Sequence, residues 1–557
     1  MSFVSSGTNS AVAVPGTTLF DCADTLEVKL ASSCLRTGQC HECIVTVSRG
    51  EAMLSPRSDP EVFLSDNFRL ACQATITSTD NDVAFTPLNR RPRILESTKL
   101  DHRPLLHEPM VTRVGDQVLY GDSVVDRYRG GCFGIAVDLG TTTAAMDLVD
   151  LEKGETRATV SFETPQGFGG SDVMTRISYD SRGDNTGELQ KAAISGINRA
   201  IREVCTTADI RPPLIYEIAV VGNTTMRDIL FGIDVQSVGQ RPYKSLVEFE
   251  YRDGSRDSTA LTVPSRSIGI RANRQATLYG LPLIASHVGA DAAAGILAVD
   301  LDDKAGTSML VDIGTNTEVV LRHDGRLFAA SCPAGPAFEG GLVTHGMRAY
   351  EGAIESIRIS AQGLLSDYSV IGGGLAEGIC GSGLIDLLAE LRDHDLINEK
   401  SIFVDDPRRY ELMILPEREM TFSKEDASNL AQAKAANYSG QVILMRTAGI
   451  APSDIETLYL AGGFANFVNV ENAMKIGLLP TIDLDRVAKV GNAALDGARS
   501  ALMSLAARTR MERLADEVVH VELETVPEFF EIFVEGCLLK PMPDDLSSFN
   551  RSEEYHK

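Results

Sequence analysis

The sequence predicts a multidomain α/β protein in which a small β-rich unit precedes a large two-lobed domain. Three observations carry this reading. Cys34, Cys40, Cys43 and Cys72 gather near the N-terminus. Short apolar strands alternate with helices from Gly131 to about Pro541, which is the pattern of α/β architecture. One hairpin motif occurs twice, around Asp138 and around Asp312. At 557 residues the chain is too long for one core, so about two to four domains are expected.

Bulk properties narrow the function. Hydrophobic content of 43% and charged content of 23% are ordinary for a globular protein. A formal charge of −25 argues against non-specific nucleic-acid binding and against docking on anionic lipid, because both need Lys and Arg to meet phosphate. No stretch approaches the ~18 consecutive apolar residues of a membrane span. The start, Met1 to Ser10, lacks a basic segment followed by an apolar one, so it does not read as a secretory signal, and a cytoplasmic protein is expected.

Residues 1–88 form the expected N-terminal domain, with strands over Ala11–Pro15 and Cys43–Val47, a helix over Asp21–Ala31, and an extended return over Phe68–Ile76. The Arg- and Pro-rich stretch 89–130 suits a linker partly draped on the next domain. Residues 131–541 make the large domain, and 542–557 a polar, frayed tail.

The large domain contains an internal echo. Phe133–Gly154 reads strand, Val137-Asp138-Leu139-Gly140-Thr141-Thr142-Thr143, strand, turn. Ser308–Gly325 repeats it with Val311-Asp312-Ile313-Gly314-Thr315-Asn316-Thr317. A single Asp-Gly hairpin is an ordinary turn; two matching ones imply related lobes facing a shared cleft. The glycines let backbone N–H groups approach phosphate oxygens, and the threonine hydroxyls add short donors. Asp138 and Asp312, at strand ends, are placed to hold the waters of Mg²⁺ or to orient an attacking water. Gly381-Ser382-Gly383 opens a helix, and Ala461-Gly462-Gly463-Phe464 follows a strand. Glycines there let adenosine lie against backbone, although tight helix–strand packing asks for glycine too. No G-x-x-x-x-G-K-[ST] occurs, which excludes a P-loop protein. Glu339 is a further acidic candidate, facing substrate or lying on a solvated loop. The two hairpins with the late Ala-Gly-Gly-Phe resemble the ASKHA superfamily of sugar kinases, actin and heat-shock chaperones. That resemblance implies two RNase H-like lobes closing over MgATP.

The cysteines tell a second story. Cys34-x₅-Cys40-x₂-Cys43, with distant Cys72, gives four thiolates, a set that suits tetrahedral zinc or an iron–sulfur cluster. Zinc sites usually show two C-x₂-C pairs, whereas this asymmetric set fits a [2Fe–2S] cluster wrapped by a long loop that donates N–H groups to its sulfurs. Gly38 would supply the tight bend. His41, inside the loop, reads as a solvated neighbour rather than a ligand. Cys22, Cys132, Cys205, Cys332, Cys380 and Cys537 stand alone and read as small buried hydrophobes. The spacing departs by one residue from the plant-type pattern and is similar to adrenodoxin-like ferredoxins, which implies a β-grasp fold.

A ferredoxin module fused to an ASKHA ATPase resembles the reductive activators of corrinoid proteins. Val221-Gly222-Asn223-Thr224-Thr225-Met226, Gly335-Pro336-Ala337-Phe338-Glu339-Gly340-Gly341 and Gly378-Ile379-Cys380-Gly381-Ser382-Gly383 carry the resemblance along the chain. It implies an ATP-hydrolysing reductase that transfers one electron from the cluster to the Co(II) corrinoid of a cobalamin-dependent methyltransferase system, restoring Co(I). By position, Cys34, Cys40, Cys43 and Cys72 would ligate the cluster. Asp138, Gly140 to Thr143, Asp312 and Gly314 to Thr317 would hold phosphate and Mg²⁺, with Gly381 to Gly383, Gly462 and Gly463 completing the ATP site. The partners implied are the corrinoid protein and an external electron donor, with a homodimer left open. One departure is expected: about forty residues stand between the N-terminal domain and the ATPase, where some relatives carry an additional middle domain. Two other readings stay open, an electron donor to another low-potential enzyme and a redox-sensing ASKHA kinase.

Overall fold

A computed structural model describes residues 2–7, 9–88, 107–463 and 465–547. The N-terminal unit is a five-stranded mixed sheet ordered Asn9–Val12, Phe3–Ser6, Val83–Pro87, Ile44–Arg49, Phe68–Leu70. It grips the helix Leu19–Thr25, which Thr18 and Asp21 cap reciprocally. The helix is shorter than its expected span, because Glu27 adopts a left-handed φ of 57°. The return segment is likewise a strand only over Phe68–Leu70.

Residues 89–106 of the expected linker lie outside the described residues. The rest is more ordered than a linker. Val111–Val114, Gln117–Tyr120 and Ser123–Arg127 form a three-stranded antiparallel meander. It buries Val111 and Val118 against the large domain, and Tyr120 Oη donates to Glu217 at 3.2 Å.

Two six-stranded sheets follow. The first is ordered Glu155–Glu163, Thr143–Asp150, Phe133–Leu139, Ile215–Val221, Thr277–Gly280, Leu261–Pro264. The second is ordered Arg326–Cys332, Thr317–His323, Ser308–Ile313, Thr457–Gly462, Val487–Gly491, with Val518–His520 added outside Arg326–Cys332. Their plans coincide. Three antiparallel strands are followed by a crossover to a strand running parallel to the first, so the repeated motif reports repeated topology. The central strands are apolar on both faces, with the neighbours Ile135 and Ala136, and Leu310 and Val311, all buried. Helices Ala290–Ala298 and Ala493–Met503 pack between the sheets in one shared core. Among the described residues no helix is long and apolar enough to cross a membrane.

The second lobe carries a small sheet, Ala353–Ile359, Leu365–Val370 and Gly378–Ile379, and the long helix Lys424–Ala448. Residues 542–547 do not fray as expected. Met542 and Leu546 are buried in the core, and Asp544 accepts from Ser453 N and Oγ at 3.0 Å.

Candidate functional site

Two sites stand on this frame. In the first, the loop between helix Leu19–Thr25 and strand Ile44–Arg49 brings Cys34, Cys40 and Cys43 to Cys72. Leu35, Arg36, Gly38 and His41 all have positive φ, and in the loop so bent the Gly38, Gln39 and Cys40 amides donate to cysteine sulfurs. At Gly38, φ is 82° and an added Cβ would lie 2.7 Å from Pro60. Pro60 belongs to a turn anchored by Glu61, which is fully buried, pairs with Arg69 at 2.8 Å and accepts from Leu70 N at 3.0 Å. One buried carboxylate thus positions both the Gly38 bend and the approach to Cys72.

The thiols sense one another. Burial alone would raise Cys34, but hydrogen bonds from Thr37, Cys40 and the Cys40 and Gln39 amides bring it to about 6. The Cys43 thiol brings Cys72 to about 7 against burial, helped by Gln73 and the Gly38 amide. Cys43 itself is raised by its bond to Cys72 and by burial. Thiolates receiving amide hydrogen bonds fit an iron–sulfur cluster. All ten cysteines are free; of the six single ones, five are buried and Cys537 is half-buried.

His41 corrects its expected exposure. It is buried at 8%, stacks on Phe63 with centroids 4.1 Å apart, and lies 3.3 Å from Glu188 of the first lobe. The same helix, Glu188–Thr207, presents Ser195, whose hydroxyl donates to Cys40 O at 3.0 Å. The N-terminal unit is therefore docked on the first lobe through its cysteine loop, a contact no local pattern announced.

The second site is the cleft between the lobes, a cavity of 180 Å³. Of the residues the sequence singled out, Asp138, Gly140, Thr141, Thr142, Thr143, Asp312, Gly314, Thr315, Asn316, Gly381, Gly462 and Gly463 line it. At Gly462, φ is 108° and an added Cβ would fall 2.2 Å from Ile313 O, so the two strands approach only because the side chain is missing. Thr317, Ser382 and Gly383 are not in the lining. Thr317 is buried within its strand, Ser382 donates to Glu355 O at 2.7 Å, and a Cβ on Gly383 would press on Ile354 O at 2.6 Å. Phe464 lies outside the described residues.

Five further polar side chains join the lining: Asn223, Asp291, Glu318, Arg348 and Asn492. Asn492 caps its helix and donates to Asp138 at 2.9 Å; Asn223 likewise caps a helix and donates to Thr141 at 2.9 Å. Glu318 lies directly opposite Asp312 in the hairpin register, a placement that tight-turn spacing makes readable. Two like charges so placed repel.

Burial first, and crowding second, hold the acidic groups above the ordinary carboxylate range. Burial raises Asp138 to about 7 against the Asn492 hydrogen bond, with Asp291 adding to the rise. Burial raises Asp291 to about 6. Burial, then Asp138 and Asp291, raise Asp312 to about 8. Burial, then Asp291 and Asp312, raise Glu318 as well. Carboxylates crowded in this way call for a cation. Glu339 is not on a solvated loop. It accepts from Thr142 at 2.6 Å and Thr315 at 2.7 Å, and those hydroxyls are 2.9 Å apart. One carboxylate thus bridges the two hairpins across the lobes.

Comparison with known proteins agrees with both halves. Residues 3–77 match the 2Fe–2S iron–sulfur cluster binding domain, and residues 306–550 match the C-terminal domain of RACo, the ASKHA domain. The chain is 30% identical over 425 residues to the corrinoid activation enzyme RamQ of Eubacterium limosum, covering 72% of this chain and 69% of that protein. The chain belongs to the family of corrinoid reductive activators. A second relative in this family, the [Co(II) methylated amine-specific corrinoid protein] reductase of Methanosarcina barkeri, is 26% identical over 72% of this chain and 76% of its own. A solved reductive activator for a corrinoid, iron–sulfur protein superposes with a TM-score of 0.71 at 26% identity, over 97% of this chain and 99% of that one. The expected absence of a middle domain is overturned. The RACo middle region matches residues 133–304, the span that forms the first lobe. Its hairpin follows the same strand plan as the ASKHA region, which is why it read as part of one ATPase.

Proposed function

We propose that this protein is an ATP-dependent reductive activator that passes one electron from a [2Fe–2S] cluster to the Co(II) corrinoid of a cobalamin-dependent methyltransferase system. The observation that carries the reading is the docking of the three-cysteine loop, with Cys72 beside it, on the lobe that supplies half of a carboxylate-rich cleft. When bound, the cluster supplies a one-electron carrier held by Cys34, Cys40, Cys43 and Cys72. Asp138, Asp312, Asp291 and Glu318 attract Mg²⁺. Among the described residues no three such groups close tightly on one ion, and an ion that keeps most of its waters needs no such cage. Gly140, Thr141, Gly314, Thr315 and Asn316 face phosphate, Gly462 and Gly463 face adenosine, and Asp138 or Asp312 orients water.

The need for ATP follows from magnitude. For one electron, 59 mV corresponds to a tenfold change in equilibrium, about 1.4 kcal/mol. A gap of a few hundred millivolts to a resting Co(II) corrinoid is then roughly 5 kcal/mol or more. Lobe closure supplies this if the closed state prefers a Co(II) centre stripped of its axial ligand. The test mixes anaerobic holoprotein, low-potential reductant and a Co(II) methyltransferase subunit, and follows Co(I) absorbance. MgATP should be required, and a non-hydrolysable analogue should fail to sustain turnover; equal reduction without ATP would refute the proposal.

A further inference from the structure

The phosphate hairpin and the cysteine loop are tied to the two ends of one short segment, residues 164–168. On the nucleotide side, Thr164 N donates to Thr142 O at 2.9 Å and its hydroxyl to Gly140 O at 3.0 Å. Pro165 then packs on Gly196 of helix Glu188–Thr207, where an added Cβ would come within 3.0 Å of the proline ring. Gln166, fully buried, donates to Leu189 O of the same helix at 2.8 Å and accepts from Arg176 at 3.2 Å.

At the other end, Phe168 meets the edge of Phe63, with centroids 5.2 Å apart. Tyr179 Oη donates to Phe63 O at 2.5 Å, and Phe63 stacks on His41 between Cys40 and Cys43. The helix that Gln166 holds carries Ser195, bonded to Cys40 O. A displacement of Thr142 therefore has a closely packed route to the main chain of the cysteine loop. Packed interiors shift between discrete arrangements rather than yielding smoothly, and hydrogen bonding around the sulfurs sets cluster potential.

We propose that residues 164–168 and Ser195 couple the two sites, so that nucleotide occupancy changes the reduction potential of the cluster held by Cys34, Cys40, Cys43 and Cys72. The inference rests on the nucleotide and cluster assignments made above and adds a direct link between them. Ser195 is a positioning residue. Linkage makes the effect reciprocal: reducing the cluster changes nucleotide affinity by the same factor.

The experiment uses the anaerobic holoprotein. Potentiometric titration followed by EPR measures the cluster midpoint alone, with MgADP and with a non-hydrolysable MgATP analogue. Calorimetry measures nucleotide affinity with the cluster oxidised and with it reduced by one electron from dithionite. The expected result is a midpoint shift of about 30 mV or more, matched by roughly a threefold difference in affinity. Ser195→Ala should keep the cluster spectrum and the nucleotide affinity of the oxidised form, and lose at least half of the shift. An unchanged midpoint in a protein that calorimetry shows to bind nucleotide overturns the coupling alone. A full shift in Ser195→Ala overturns the route. Absence of nucleotide binding overturns the underlying assignment and the coupling with it.

Discussion

Single residues decide how each site is shaped. Gly38 holds a left-handed φ against Pro60, so Gly38→Ala combines backbone strain with a clash. It should cost about 1–3 kcal/mol in the N-terminal unit, seen as a lower urea midpoint of the cluster signal. Glu339 occupies the hydroxyls of Thr142 and Thr315, groups the nucleotide reading assigns to phosphate, and adds negative charge where phosphate would arrive. Glu339→Gln removes that charge and keeps one acceptor. MgATP should then bind roughly three- to tenfold tighter, about 0.7–1.4 kcal/mol, and weaker binding by calorimetry would contradict the arrangement. The residue types were legible, since Gly38 and Glu339 stood out in the sequence. Their partners were not: Pro60 lies 22 positions beyond Gly38, and Thr142 lies 197 positions from Glu339.

Elements explain what position alone does not. The hairpins read correctly because tight turns are local, and Asp312 opposite Glu318 follows from counting along one. Helix Lys424–Ala448 is the opposite case. Lys434, in its buried face, donates to Ile476 O at 3.0 Å and Leu538 O at 2.7 Å, tying the C-terminal segment to the second lobe. Burial lowers its amine to about 7 from an ordinary 10.5, although Cys537 and Glu535 oppose the shift. Its folded-state affinity for protons is thus below that of the unfolded chain, so the unfolded state binds more protons between about pH 7 and 10.5. This group's contribution to stability rises with pH across that window and is lost as pH falls through 7. Lys434→Met should flatten the climb in melting temperature between pH 7 and 9.5, and an unchanged slope would show that the lysine is not responsible.

At the scale of the whole molecule, polar contacts join the two lobes on several sides of the cleft, among them Asn492 to Asp138, Arg499 to Asp147 and Arg508 to Glu217. Arg348 of the second lobe pairs with Glu163 of the first, and Tyr350 Oη donates to the same carboxylate at 3.0 Å. Arg348→Ala should loosen closure and weaken MgATP binding by about threefold, the range of a partly exposed pair, with little change in the fold by circular dichroism. Saturating nucleotide should stabilise the large domain by mass action, about 2.7 kcal/mol at a hundred times Kd. Asp312→Asn should abolish most of that gain, and a full gain in the variant would remove Asp312 from the site.

The amino-acid sequence by itself determined the chemistry: four thiols at a ferredoxin-like spacing, two Asp-x-Gly-Thr hairpins, and the α/β alternation that carries them. Apart from Cys72, these are short-range facts, written in spacings of a few residues. Only the tertiary structure decided that the meander beginning at Val111 is part of the large domain, that Asp291 and Asn492 join the cleft, and that His41 and Cys40 rest on helix Glu188–Thr207. Each of those depends on residues about a hundred or more positions apart meeting in one packed interior, where burial and shape select partners that no linear pattern records.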